Sequence, residues 1–415
     1  MKTNLCGQWA QMYLVVALLL MTGTAPAGEE VVRDGVLHIT NESSPTGGTE
    51  IITFEEVWRV GGEDGEDFFG LVTQVVVGDD GSIFLLDTRL SEVPVYAPDG
   101  ERLDTLSREG EGPGETRMPT NLVLMPDGNL GLVQRFPGKL TLIDQQGTPK
   151  GEVEPKLAEG GFMALFDCFP RADGQLTVVG QSFKQNGTTG RTDINFVSNF
   201  SSEGTETVRY TEVVKEMDFS NFYFKEDEQN EITFRKATVG TDGRVYVSKS
   251  RNSYEIHVYR PDGKLERIIE REYEHRVRTD EQYQRVYNVA EAQLSRVPGA
   301  RFDISKTEPD ISSLRMAADG NLWVTSSHSG FEEPEGVLVT YDVFDPDGHF
   351  IKQVAASCEG DGENDNLFWS PDGSAVLVTG FAEALRSLQS AGAASGDDGE
   401  EESEPMEVIY LRPME

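Results

Sequence analysis

Cysteine is scarce in this chain: three in 415 residues, at Cys6, Cys168 and Cys358. So few thiols cannot build a disulfide framework, and free, partly buried thiols are expected at Cys168 and Cys358. Histidine is scarcer than a histidine-rich metal site needs. The set is His38, His257, His275, His328 and His349. Only His275 and His328 fall in variable regions, which excludes a zinc lyase built on several converging imidazoles. Basic residues are outnumbered, 36 against 72 acids, for a net charge of −36. A surface of that sign repels nucleic acid and anionic lipid. It suits cationic partners or Ca²⁺, although a plain solubility role accounts for it first.

Long apolar runs are missing after the N-terminus, so no membrane span is expected once that segment is removed. The exception is Met12 to Met21 (MYLVVALLLM), which follows Lys2 and precedes Ala25-Pro26-Ala27. A positive start, a short apolar stretch and a small-residue cleavage site make 1–27 a signal peptide, so a secreted or periplasmic protein is expected. Residues 28–50 are then an N-terminal extension. No Gly-x-Ser-x-Gly elbow is followed by a plausible base, so no catalytic residue is assigned. Gly110 to Glu115 (GEGPGE) lacks the Gly-Lys-Ser/Thr ending of a phosphate cradle.

What is abundant is a repeat. Asp-Gly recurs at Gly81, Gly128, Gly174, Gly243, Gly320 and Gly373, each time followed by a short apolar run. Glycine tolerates the positive φ of a tight hairpin, so each instance marks a two-strand turn. Most copies carry a second hairpin, such as VPVYAPDGERLDTL after the first and EIHVYRPDGKLERII after the fourth. Each unit therefore reads as four antiparallel strands, a to d. Such units stacked in a ring are the blades of a propeller. The sixth unit shows a, b and c (Val408 to Leu411) but no strand d. Ile51 to Val60 (IITFEEVWRV) has strand composition and no unit of its own, so it is expected to close the last blade. The expected fold is an all-β six-bladed propeller over 51–413, with one helical insertion before blade five.

The strings Gly81 to Asp87 (GSIFLLD), Gly110 to Glu115 and Pro309 to Leu314 (PDISSL) before Gly320 to Val324 (GNLWV) carry a likeness. They resemble NHL-repeat propellers, and more closely the secreted bacterial six-bladed propellers related to them. That resemblance implies architecture and little chemistry, since the fold hosts binding scaffolds, lactonases and lyases alike.

The turns within hairpins are short and uniform, while the b–c and d–a connections vary. The extra residues are 181–191, 217–230, 271–309, 329–336 and 382–405. Variable loops on one side of a rigid scaffold are the expected seat of function. Within the longest insertion, 279–296 reads as a helix capped by Thr279. Its stripe Tyr283, Val286, Tyr287, Ala290 and Leu294 packs the helix on the rim, or else makes it a lid or docking element. Residues 386–405 are acidic and poor in apolar residues, most strongly from Ala391 on, and are expected to be disordered.

Candidate binding residues follow from this division. Arg108, Glu111, Glu115 and Arg117 are expected at the rim of the central opening. Asn121, Asp310 and Asn366 lie near the starts of a strands and His328 in a variable loop. Asp361, Glu363 and Asp365 present oxygens at alternate positions and are the candidate Ca²⁺ ligands, with Asp372 at the twelfth place; Asn366 stands at the sixth, where an EF-hand needs glycine. The first functional reading is a binding or scaffold propeller that recognises a protein, peptide or glycan through its long-loop face and requires no cofactor. The alternative is a divalent-metal hydrolase or lyase of lactonase type at the channel mouth.

Overall fold

The six Asp-Gly turns share one local construction. In each the glycine holds φ between 79° and 88°, which a side chain would resist. The aspartate carboxylate accepts from the N–H two residues on, at 2.9–3.1 Å. This side-chain closure fixes the turn before any long-range pairing forms. The apolar residues that follow supply a strand buried on both faces, as at Ile83–Asp87 and Leu130–Gln134.

In the computed structural model these turns organise a chain described at residues 28–63, 65–158, 160–295, 297–391 and 405–414. The signal-peptide assignment at 1–27 lies outside the described residues. Four-stranded antiparallel meanders run over 72–106, 119–153, 163–218, 237–271 and 311–357. A sixth combines Asn366–Trp369, Ala375–Val378, Glu407–Pro413 and Thr49–Gly61. The repeat of such meanders is the construction of a β-propeller.

Thr49–Gly61 joins the two ends of the chain. Its residues 54–61 run antiparallel to Glu407–Pro413, with Tyr410 opposite Trp58. Its first residues, 49–53, run parallel to Gln353–Ser357 and add a fifth strand to the meander before. The core is divided accordingly, into layers shared by neighbouring meanders. Phe84, Val93, Leu122 and Leu132 fill the layer between the first and second. Trp58, Leu71, Ile83, Val376 and Val408 fill one between the sixth and the first.

Several loops depart from their sequence reading. The extension 28–50 is not featureless: Glu29–Arg33 and Val36–Asn41 form a hairpin whose second strand pairs in parallel with Leu265–Arg271. Residues 181–191 are not a loop but lengthen the strands Leu176–Asn186 and Gly190–Phe200. The disordered segment expected at 386–405 is overturned at its start, because Phe381–Ala391 is a helix, α2. Phe381, Ala384, Leu385 and Leu388 share one helical face and pack against the layer around Trp58. Residues 392–404 lie outside the described residues. The expected helix at 279–296 is observed as Asp280–Leu294, α1, with Thr279 and Gln282 in a reciprocal capping box. Cys168 is buried, Cys358 partly so, and neither is bonded.

One polar residue holds the first meander at the loop side. Asp87 is fully buried and accepts from the N–H groups of Gly70, Leu71 and Leu90 at 2.6, 3.1 and 3.0 Å. Asp87→Asn turns one acceptor oxygen into a donor facing donors. It is expected to cost about 2 kcal/mol, read as a lowered urea midpoint with unchanged slope. An unshifted midpoint would show that the carboxylate is not what holds the turn.

Candidate functional site

In each meander the a–b and c–d turns lie at one end, and the a strands begin at the other. The long connections gather there, and so do the polar residues singled out above. Asn121 and Asn366 stand in the first strands of the second and sixth meanders, Asp167 in that of the third, and Arg235 just before that of the fourth. They form one hydrogen-bonded chain. Asn121 Nδ2 donates to Asp167 Oδ1 at 3.2 Å, and the Arg235 N–H donates to Asp167 Oδ2 at 2.6 Å. Arg235 Nη1 then reaches Asn366 Oδ1 at 3.2 Å. Arg235 thus bridges the fourth and sixth meanders. Its guanidinium lies 5.6 Å from the ring centres of both Phe368 and Phe381.

Burial pushes the Asp167 carboxyl up, against the pull of the Arg235 N–H, the Arg235 charge and Asn121. Burial likewise lowers Arg235, with Asp167 opposing. Nearby, Arg135 lies over Phe166 at 4.8 Å and Phe234 at 5.9 Å, and it too is lowered by burial. Asn121 Oδ1, Asn366 Nδ2 and Arg135 Nε are buried without a partner. The mouth therefore presents fixed positive charge among aromatic rings.

Asp310 and His328 belong to a neighbouring cluster, apart from this chain. Asp310 is 1 % exposed, and its Oδ1 pairs with His275 Nδ1 at 2.7 Å. Burial raises its carboxyl, with His275 opposing. The Asp310 carbonyl accepts from Ser327 N–H at 3.0 Å, and the Ser327 hydroxyl meets Tyr273 Oη at 2.7 Å. His328 Nε2 lies 3.0 Å from the Glu274 carbonyl, and the ring packs edge-on to Tyr273.

The remaining candidates are engaged locally. Arg108 pairs with Glu115 at 2.5 Å and Arg117 with Glu111 at 3.2 Å, so the four satisfy one another within one exposed loop. The Glu115 carboxylate lies close over Gly110, where a Cβ would sit 2.0 Å from it, so a side chain there would displace the Glu115 carboxylate from its present seat. That carboxyl is held below its usual range by the Gly112 N–H and Arg108. Asp361, Glu363 and Asp365 do not converge. Glu363 turns to Arg285 of α1 at 2.6 Å. Asp365 accepts from the N–H groups of Asp361 at 2.8 Å and Gly380 at 2.9 Å. Asp372 closes its own turn on Ser374. Among the described residues no group of three or more His, Cys, Asp or Glu side chains could hold a metal ion.

Sequence reasoning missed a cavity of about 300 Å³ between α1, the fourth meander and the segments on either side of that meander. Val286, Val289, Ala290 and Leu294 of α1 make its apolar wall, with Lys236, Lys249, Arg251, Glu226 and Glu231 opposite. The stripe on α1 is only partly buried, and Gln282 is the helix's one buried residue. The helix roofs a space rather than sealing onto the rim. Both cavity carboxylates are already paired, Glu226 in part with the cavity's own Arg251. Glu231 pairs with Lys215 at 3.2 Å, and Glu226 pairs with Arg251 at 2.9 Å and Arg278 at 2.8 Å. Among the described residues Lys249 Nζ donates to Thr211 Oγ1 alone, at 3.5 Å, and burial lowers its ammonium, with Glu255 opposing. The signal for this site was the helical stripe itself, since Val286, Ala290 and Leu294 are wall residues; the basic residues opposite carry no motif.

No family model matches the chain, and no curated protein matches it. Solved structures do share its outline. A member of the DUF4221 family from Bacteroides vulgatus is 10% identical, covering 87% of this chain and 98% of that one, with a TM-score of 0.49. A putative exported protein from Bacteroides fragilis is 11% identical over 91% and 100%, at 0.47. A gluconolactonase from Xanthomonas campestris is 12% identical over 83% and 88%, at 0.42. At these scores the likenesses carry no argument about activity, and the fold rests on the sheet topology.

Proposed function

We propose that the protein is an exported six-bladed propeller that binds a small ligand on its loop-rich face, in the cavity beneath α1. Six meanders, with core layers between neighbours and between sixth and first, support that count of blades. Export rests on the charge, apolar run and small-residue site within 1–27. Among the described residues no helix is long and apolar enough to cross a membrane.

The cavity carries the binding reading: an apolar helical wall faces two lysines, Lys236 and Lys249, and the two carboxylates that line the cavity are held by Lys215 and by Arg251 and Arg278. A concave site with a few convergent polar groups suits a ligand with an apolar body and an anionic or acceptor-rich head. A protein, peptide or glycan partner would engage it by inserting such a group. The reading needs no cofactor. The metal-dependent alternative is weaker at the channel mouth, because Arg235 holds a fixed cation there and Asp167 is spent on Arg235 and Asn121.

The test uses an apolar anion, anilinonaphthalene sulfonate, titrated into the mature chain. One saturable site is expected. Val289→Trp, which fills the cavity from α1, should weaken binding at least tenfold, and Lys249→Ala should weaken it several-fold. Unchanged binding by Val289→Trp would overturn the reading.

A further inference from the structure

Lys236 offers more than charge to this cavity. Its backbone is fixed, since its carbonyl accepts from the Ser248 N–H at 2.9 Å at the entry to the strand Ala237–Val239. Its side chain donates to the carbonyl of Ile311, the first residue of the fifth meander. It therefore spans two meanders beneath the apolar wall of α1. The charged groups that face it are Arg251 and Lys249 from its own meander, and Glu226, Glu231 and Asp310 from the connecting segments. The last three are paired with Arg251 and Arg278, with Lys215, and with His275.

Burial pushes the Lys236 ammonium down to about 8; Glu231 and Asp310 oppose it, and Arg251 adds to it. At pH 7 roughly one such amine in ten is neutral, against about one in three thousand at the ordinary value. Only the neutral amine attacks a carbonyl carbon, and desolvation beside another cation is a known way to supply one.

We propose that Lys236 is the nucleophile of this cavity and captures a carbonyl ligand, an aldehyde or ketone with a short apolar chain, as an imine. The inference rests on the cavity being the binding site. The Nζ lone pair forms the C–N bond while the carbonyl π pair moves to oxygen, which takes up a proton. The nitrogen releases its protons, the C–O bond breaks, and the oxygen leaves as water as C=N forms. One amine and one carbonyl give one imine and one water, with no oxidant or reductant.

The experiment treats the mature chain with butanal and sodium cyanoborohydride, which traps the imine as a secondary amine, and maps modified lysines by mass spectrometry. At pH 7 Lys236 should be modified at least tenfold faster than the exposed Lys264. Its rate should level off above pH 8, while that of Lys264 keeps rising. Modification of Lys236 no faster than Lys264 overturns the proposal. Dye binding separates the two failures. If the dye binds, is lost in Val289→Trp, and Lys236 is still unreactive, the cavity stands and the covalent step falls. If Val289→Trp changes neither dye binding nor labelling, both fall.

Discussion

Alanine at Trp58 will destabilise the whole chain by about 3–5 kcal/mol, the range for deleting a buried aromatic ring. Trp58 is 9 % exposed and sits where the two ends of the chain meet. Its ring stacks on Tyr410 of the sixth meander at 5.4 Å and on Tyr96 of the first at 5.6 Å. Its Nε1 donates to the Pro98 carbonyl at 3.2 Å. The turn beneath is shaped to it, since a Cβ on Gly100 would lie 2.7 Å from the indole. Removing the ring therefore opens a cavity in the layer that closes the molecule, where no local hairpin compensates. Domains keep only about 5–15 kcal/mol in hand, so the loss should appear as one cooperative shift of the urea transition. Trp58→Phe keeps a stacked ring and should cost less than half as much. A Trp58→Ala midpoint indistinguishable from wild type would mean that the seam does not hold the molecule closed.

That seam was legible in the sequence, and the reason is local. A strand with no unit of its own and a unit with no last strand can be matched by inspection, and Glu407–Pro413 does pair with residues 54–61. The six turns were legible for the same reason, because glycine at positive φ and an aspartate accepting two residues on are properties of four neighbours. Asp34-Gly35 closes a turn of another kind, with both residues at positive φ, 51° and 82°, and was overlooked because its hairpin stands outside the repeat. Helix α2 was overlooked because the acidic run after it dominates the composition, although Phe381, Ala384, Leu385 and Leu388 have helical spacing. The candidate site divides similarly. Asn121 and Asn366 fall at one mouth because a strands share an end. Arg235, the link between them, has no motif. The cavity arises where two insertions fold onto each other, at Tyr223–Lys225 beside Arg301–Asp303, and nothing near either insertion encodes that meeting.

Arg278→Ala will open this cap while leaving the meanders folded. The cap has little apolar core of its own, since α1 buries only Gln282. What joins its two insertions is a polar knot. The Arg278 side chain is 3 % exposed and donates to both oxygens of Glu226 at 2.8 Å, to Glu308 at 2.9 Å and to the Ser305 carbonyl at 3.0 Å. Glu226 also accepts from Arg251 at 2.9 Å and from the Ser305 N–H at 3.0 Å. Breaking a buried pair outright costs about 3–5 kcal/mol, and the loss here should fall below that range because Glu226 keeps Arg251 and the Ser305 N–H. Hydrogen exchange should show protection lost across α1 and kept in the meanders, and dye binding should fall with it. Arg278→Lys keeps the charge without the fork and should recover part of the protection. Acid should mimic the mutation. Burial pushes the Glu226 carboxyl up, but Arg278 and Arg251 outweigh it and hold it below its ordinary value. Its contribution is therefore complete above the unfolded-chain value of about 4.3 and is lost as the pH falls through the lower folded one. Protection of α1 should persist at pH 5 and fail at lower pH before the meanders unfold. Loss of α1 protection only together with global unfolding, in acid or in Arg278→Ala, would show that the cap is not a separate unit held by this knot.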